Sequence, residues 1–222
     1  MLSTLQRKIK NLLTPVHKNE RVSFNTQSIY KGHLNVTYKG IKAIRCPFDY
    51  VIYQMIIAEI KPDLIIEIGT NQGGGAVYLA DLLEINDIRG EVHTIDVGDY
   101  VDEKTKLDTR IKFFTDGWEN YDLHNVKPFK KIMVIEDAAH TYSCTMGAIK
   151  KFAGVVSIGS YLIVEDGIVN NLGMSDYFEG GPLKALREFL PKHPEFEVDR
   201  KWCDFFGKNA TFNVNGYLKR TR

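Results

Sequence analysis

Cysteine is scarce. Cys46, Cys144 and Cys203 are far apart and odd in number, so no disulfide framework is expected. No CxxC pair is present, which removes the usual thiol redox and zinc readings. Structural thiols in a reducing compartment fit best, and the chain is read as cytoplasmic. A run of about 18 apolar residues, the length of a membrane span, is also missing. The opening stretch, MLSTLQRKIKNLLTPVHKNER, lacks the continuous apolar core of a secretory signal. Neither sign of charge dominates: 29 Lys and Arg face 28 Asp and Glu, a formal net charge of +1. The chain therefore has no overall field to attract nucleic acid. Two nucleotide fingerprints are lacking as well, G-x-G-x-x-G and the Gly-Lys-Ser/Thr of a phosphate-binding loop. Readings that need a pyrophosphate cradle are weakened.

The chain does contain enough apolar material for one sizeable α/β domain, 44% hydrophobic in 222 residues. Leu2, Leu5, Ile9, Leu12 and Leu13 fall at helical spacing with Arg7, Lys8 and Lys10 between them. A short helix carrying such a stripe is marginal alone and needs a cover. The expected cover is the domain itself or a second copy in a homo-oligomer; a membrane surface is the alternative, without stable insertion. Residues 1–45 are read as that helix followed by short strands or loops, an oligomerisation or lid segment, and residues 46–222 as the ligand-binding domain. From Pro47, PFDYVIYQMIIAEI reads as a helix. Apolar runs follow at 64–68, 92–97, 111–114, 132–135 and 161–164, separated by helical stretches at 75–83, 101–106 and 143–152. That alternation predicts βαβ units and a parallel sheet buried on both faces. LKALREFL reads as one more helix, and FEVD with KNATFNVNGYLKR as a terminal strand pair.

Ligands of an open parallel sheet bind beyond the carboxyl ends of its strands. The first such end is IIEIGTNQGGGA, with Glu67, Gly69, Thr70, Asn71, Gly73, Gly74 and Gly75. Its bare backbone admits a ligand closely, and the next helix offers free N–H groups. About twenty residues on, Asp96 ends the next strand, where a carboxylate accepts hydrogen bonds from both hydroxyls of a ribose. Capping of the next helix is the plainer role for Asp96. A ribose without a pyrophosphate cradle points to S-adenosylmethionine, whose amino group Glu67 can hold. VIEDAAH and IVEDG then bring Asp137, Glu165 and Asp166 to neighbouring strand ends. Like charges ~5 Å apart repel by ~3 kcal/mol per pair at an effective dielectric of ~20. No Lys or Arg lies within five residues of the trio, so a hard divalent cation, Mg²⁺, is the expected counter-charge. Loop capping is the alternative. His140, three residues past Asp137, is a candidate base or substrate contact, with packing as the other reading.

Taken together, CPFDYVIYQMIIAEIKPDLIIEIGTNQGGGA, DAAH, GSYLIVEDG, GGPLKALREFL, FEVDR and TFNVNGYLKR resemble the cephalosporin hydroxylase family. That family is a branch of the class I S-adenosylmethionine-dependent methyltransferases. The chain is also similar, more distantly, to metal-dependent macrolide-sugar O-methyltransferases. The resemblance runs from about Tyr38 to the C-terminus. It implies a Rossmann-like fold, a mostly parallel seven-stranded sheet with helices on both faces. It implies that Glu67, Gly69 and the 73–75 turn, with Thr70 and Asn71, line the methionine side of the cofactor, and Asp96 its ribose. Asp116, in FFTDGWEN, is the expected adenine contact, and Asp137, Glu165 and Asp166 match the metal ligands. One departure is Ala139, where the family often has a second acidic residue. The expected function is Mg²⁺-dependent O-methyl transfer to a hydroxylated small molecule, possibly a sugar or glycoside, with His140 or Asp137 receiving the proton. A metal-dependent hydroxylase and a non-catalytic cofactor-binding partner protein are the rivals. Tyr142, Tyr177, Phe178 and Trp118 are candidate acceptor-pocket residues, or core.

Overall fold

The computed structural model describes residues 20–222. The apolar stripe at the start of the chain, Leu2 to Leu13, lies outside the described residues. The first described element corrects the expectation of strands or loops over 22–45, because Thr26–His33 is a helix, α1. Its face carries no apolar period to betray it. A reciprocal cap starts it instead: the Asn25 side chain accepts from Ser28 N, and Ser28 Oγ accepts from Asn25 N, both at 2.9 Å. A small hairpin follows, β1 (Thr37–Tyr38) and β2 (Ile41–Lys42). Its two-residue turn has positive φ at both Lys39 and Gly40, the combination that matches strand twist. The tripeptide Tyr-Lys-Gly occurs twice, at 30–32 inside α1 and at 38–40 in the hairpin turn.

Helix α2, Pro47–Ile60, begins with proline at its first position and ends at Lys61 in the left-handed region. The sheet is built from β3 (Leu64–Ile68), β4 (Glu91–Ile95), β5 (Ile111–Phe114), β6 (Ile132–Glu136), β7 (Tyr161–Val164), β8 (Phe196–Val198) and β9 (Tyr217–Arg220). Its order is β5-β4-β3-β6-β7-β9-β8. The first five run parallel; β9 is antiparallel to both its neighbours. This is the expected mostly parallel seven-stranded sheet. Helices α3 (Gly74–Ile85), α4 (Glu103–Lys106), α5 (Tyr142–Phe152), α6 (Gly181–Phe189) and α7 (Arg200–Cys203) complete the fold.

Alternate strand residues enter two cores. Ile65, Met133 and Ile163 pack with Ile52 and Ile56 of α2 and Leu79 of α3. Ile66, Val134 and Leu162 pack with Ile149 and Phe152 of α5 and Phe189 of α6. Each such side chain contributes about 1.5–3 kcal/mol by leaving water. Chain order reverses between β3 and β6, so their carboxyl tips open a crevice there.

One buried carboxylate ties the ends of the fold together. Asp49, in the first turn of α2, accepts from Phe212 N at 3.0 Å, Tyr217 Oη at 2.9 Å and the Thr211 hydroxyl. Burial pushes its carboxyl up to about 7. The folded state thus holds a proton that the unfolded chain, titrating near 4, gives up earlier. The stabilisation is full below pH ~4 and is lost as pH rises through about 7. A span of three pH units corresponds to ~4 kcal/mol. Asp49→Asn, which has no proton to lose, should flatten the fall in stability between pH 5 and 8 in urea unfolding. Equal pH slopes for variant and wild type would show that Asp49 does not titrate in that window.

Candidate functional site

The crevice is a cavity of about 490 Å³ at the tips of β3, β4, β6 and β7. The glycine turn after β3 forms part of its wall, though not every glycine serves a ligand. Gly69 has φ +113, and a Cβ on it would fall against the carbonyl oxygen of Asp137, so a side chain would force the β3 and β6 loops apart. Gly74 opens α3 directly beneath β2, and a Cβ there would strike the carbonyl oxygen of Lys42. Gly69, Thr70, Asn71 and Gly75 line the cavity; Gly73 and Gly74 stand behind it, holding α3 against its neighbours.

Asp96 stands at the tip of β4 facing the same cavity. Its two carboxylate oxygens accept one backbone N–H each, Asn71 N and Val97 N, both at 2.8 Å. Each oxygen keeps a lone pair for a ligand. Asp116 does not reach this cavity. It is exposed, and its carbonyl accepts from Asn120 Nδ2 at 2.7 Å. Trp118 and Glu119, two and three residues later, line the wall instead. Tyr142 turns away too, its hydroxyl donating to Glu188 at 2.7 Å. Phe178 reaches toward the site, its ring 6.0 Å from that of His140, with Tyr177 packed on it and exposed to solvent.

The acidic residues meet as the strand order requires, with a cation among them. Arg45, just after the hairpin, is buried with its guanidinium between three carboxylates. Its Nε donates to Glu165 Oε1 at 2.9 Å, and its Nη2 lies 3.3 Å from Glu67 Oε1 and 3.5 Å from Asp137 Oδ2. This corrects the premise that nothing of opposite charge offsets the trio. The partner is 92 and 120 residues away in sequence, beyond the reach of a local count. Glu165 Oε1 also accepts from Tyr53 Oη at 2.7 Å, and Glu67 Oε2 from Thr94 Oγ1 at 2.7 Å.

Three carboxylates, Glu67, Asp137 and Glu165, thus share one guanidinium, and Asp166 adds a fourth negative charge beside them. The residual negative charge sits at the cavity end of the cluster. There Asp137, His140 and Asp166 each offer a ligand atom, all within 4.8 Å of one another. His140 Nε2 is 3.2 Å from Asp166 Oδ2. His140 and Asp166 both adopt positive φ, +56 and +54, which costs a non-glycine residue about 1–3 kcal/mol and gathers at functional sites. Burial, reinforced by Glu165, lifts the Asp137 carboxyl well above the usual carboxylate range, and burial lifts Asp166 to about 6. Burial lowers His140. A cluster this reluctant to ionise fits a hard divalent cation, whose charge reverses that reluctance. Of the expected ligand set, Asp137 and Asp166 converge with His140, while Glu165 Oε1 faces Arg45 and Tyr53.

Known proteins show the same arrangement of elements. CmcI with Mg and SAM superposes over 94% of this chain and 85% of its own, at TM-score 0.66 and 19% identity. The MycE methyltransferase of the mycinamycin pathway, with Mg and SAH, superposes over 78% of this chain and 48% of its own, at TM-score 0.52 and 16% identity. In sequence, the rhamnosyl O-methyltransferase of Mycobacterium bovis (strain BCG / Pasteur 1173P2) is 29% identical over 203 residues, 86% of this chain and 82% of the relative. That of Mycobacterium leprae (strain TN) is 28% identical over 192 residues, 83% and 82% of the two chains. Residues 31–221, from within α1 to the end of β9, match the family described as rhamnosyl O-methyltransferase/CmcI, and the chain belongs to that family.

Proposed function

We propose that this chain transfers a methyl group from S-adenosylmethionine to a hydroxyl of a sugar or glycoside, with Mg²⁺. The family membership makes it an S-adenosylmethionine-dependent O-methyltransferase. A sugar acceptor is supported by the relatives, which are named for O-methyl transfer to a rhamnosyl group. The observation that carries the reading is the convergence of Asp137, His140 and Asp166 at one end of a cavity whose other end holds Asp96.

When bound, S-adenosylmethionine supplies a methyl group on a positive sulfonium and Mg²⁺ a charge that lowers the pKa of a nearby hydroxyl. Asp96 is placed to accept from the ribose hydroxyls. Glu67, braced by Arg45 and Thr94, borders the glycine turn where the amino group is expected. Asp137 and Asp166 are the first candidates to hold the cation, with Glu165 behind them. Asp166, 3.2 Å from His140 Nε2, orients the imidazole and accepts its N–H. His140 also lines the cavity, and we assign it to take the proton of the accepting hydroxyl. Because burial lowers the pKa of His140, the ring is neutral and able to accept at neutral pH. Asp137, the other candidate acceptor, is committed to the cation. The hydroxylase alternative fits less well, since the converging donors are two carboxylates and one histidine, not two histidines and one carboxylate.

S-adenosylhomocysteine, the demethylated product, should raise the melting temperature, and NAD should not. A ligand at ~100 times its dissociation constant adds ~2.7 kcal/mol, about 5–10 °C for a domain of this size. Asp96→Ala should lose most of that rise. Stabilisation by NAD without stabilisation by S-adenosylhomocysteine would overturn the cofactor assignment.

We further propose a cytoplasmic homo-oligomer, with residues 1–45 serving assembly or covering the site. No helix among the described residues is long and apolar enough to cross a membrane. Val22 and Phe24, which follow the N-terminal stripe, are exposed. The hairpin and Arg45 already reach the cavity from this segment. Light scattering that gave the single-chain mass of 25.3 kDa would remove the assembly proposal.

A further inference from the structure

Trp118 has the bulkiest ring in the cavity wall, and it is fixed from two sides. It opens the short turn Trp118–Asn120 after β5. Behind it stands Gly147, within α5. A Cβ on Gly147 would fall 2.5 Å from Cη2 and 2.9 Å from Cζ2 of the indole. Glycine in a helix interior costs ~1 kcal/mol against alanine, and Gly147 is not at positive φ, so backbone conformation does not require it. Close approach of the ring does. The Cys144 thiol, one turn earlier on the same helix, feels the Trp118 side chain, which opposes the upward push of burial on it.

The turn is tied to the tip of β4. Gly117 N donates to the carbonyl of Asp96 at 2.9 Å, which brings Trp118 to the Asp96 end of the cavity, while the cation site lies at the other. Val97, next to Asp96, lines the same end with 74% of its surface exposed. A half-buried indole and a bare valine beside a carboxylate suited to ribose make a slot with apolar walls. A flat aromatic base attached to that ribose would cover both. We propose that Trp118, seated by Gly147, is the stacking face for the adenine of the cofactor. The proposal rests on the cofactor reading above. It moves the adenine contact from Asp116 to an aromatic two residues later, and it gives Gly147 a reason.

Tryptophan emission of the full-length chain tests this directly. The chain has two tryptophans. The other, Trp202, is 2% exposed, packs in the opposite core and donates its N–H to Tyr161 Oη at 3.0 Å. S-adenosylhomocysteine should therefore change the emission of the wild type, and Trp118→Phe should erase the change while Trp202 continues to emit. Calorimetry should show Trp118→Ala weakening S-adenosylhomocysteine about tenfold or more, in line with base–aromatic stacking elsewhere. Trp118→Phe should lose much less. S-ribosylhomocysteine, which has the same amino acid and ribose without the base, should bind Trp118→Ala and wild type alike. Gly147→Ala should weaken the adenine ligand selectively, with helix content retained. Equal loss for both ligands in Trp118→Ala would make the residue merely structural and overturn the proposal, as would an unchanged affinity for S-adenosylhomocysteine. In either case the cofactor reading would stand. A wild type that binds neither ligand would overturn both.

Discussion

Asp137→Ala is expected to lower methyl transfer by a factor of ~10³ or more, and EDTA to abolish it until Mg²⁺ is restored. A positioned proton acceptor contributes ~10²–10⁴, and a cation beside the developing alkoxide several kcal/mol more. Asp137 supplies the second of these: it is placed to hold the cation, while His140, three residues on, takes the proton. Asp137 is the first of the converging donors, and its Oδ2 also lies 3.5 Å from Arg45. Asp137→Asn tests the charge alone, since it preserves shape and removes charge. It should keep the melting temperature close to wild type and still lose most activity at saturating Mg²⁺. Calorimetric titration of Mg²⁺ into each variant gives a second readout, with the affinity falling in both. Full activity in metal-free buffer, or undiminished Mg²⁺ binding by Asp137→Ala, would return the carboxylates to a structural role.

The parts of this site legible in the sequence are those that depend on local pattern. Strand β3 is legible at Leu64–Ile68 because a strand buried on both faces is an almost unbroken apolar run, and its one carboxylate, Glu67, marks the ligand end. Asp96 and the paired acidic echoes followed from strand-end positions in an open sheet. Helix α4 is shorter than expected, Glu103–Lys106, because Asp102 caps it late and no apolar face extends it. Helix α1 is illegible for the opposite reason, its start being set by a side-chain cap. The glycines were legible as a tight turn. Their causes divide in the structure, Gly69 and Gly74 answering to neighbouring carbonyl oxygens and Gly75 to the Glu67 carboxylate, whose Oε1 would lie 2.7 Å from a Cβ there. The family resemblance points to Asp116, yet the loop carries it outside the cavity and turns Trp118 in, which no period predicts. Arg45 was beyond any local rule, since its meaning lies in three carboxylates from three distant strand ends.

Arg45→Ala should destabilise the fold by about 3–5 kcal/mol, because removing one partner of a buried ion cluster leaves the others charged and unpaired. Glu67, Asp137 and Glu165 would each lose the same cation, and Glu67 and Glu165 are almost wholly buried. Arg45→Lys should recover only part of the loss. An ammonium is a point charge, while the guanidinium spans Glu165 with Nε and the other two with Nη2. The same variants connect the cluster to the cation. Arg45 and a divalent ion held by Asp137 would both draw on the one Asp137 carboxylate, so removing the first should deepen the site for the second. Added Mg²⁺ should then raise the melting temperature of Arg45→Ala by more than it raises that of the wild type, and chelation should lower it by more. An equal Mg²⁺ response in both proteins would show that Arg45 braces Glu67 and Glu165 without being felt at the metal end. A variant as stable as wild type would remove the cluster from the list of what holds this fold together.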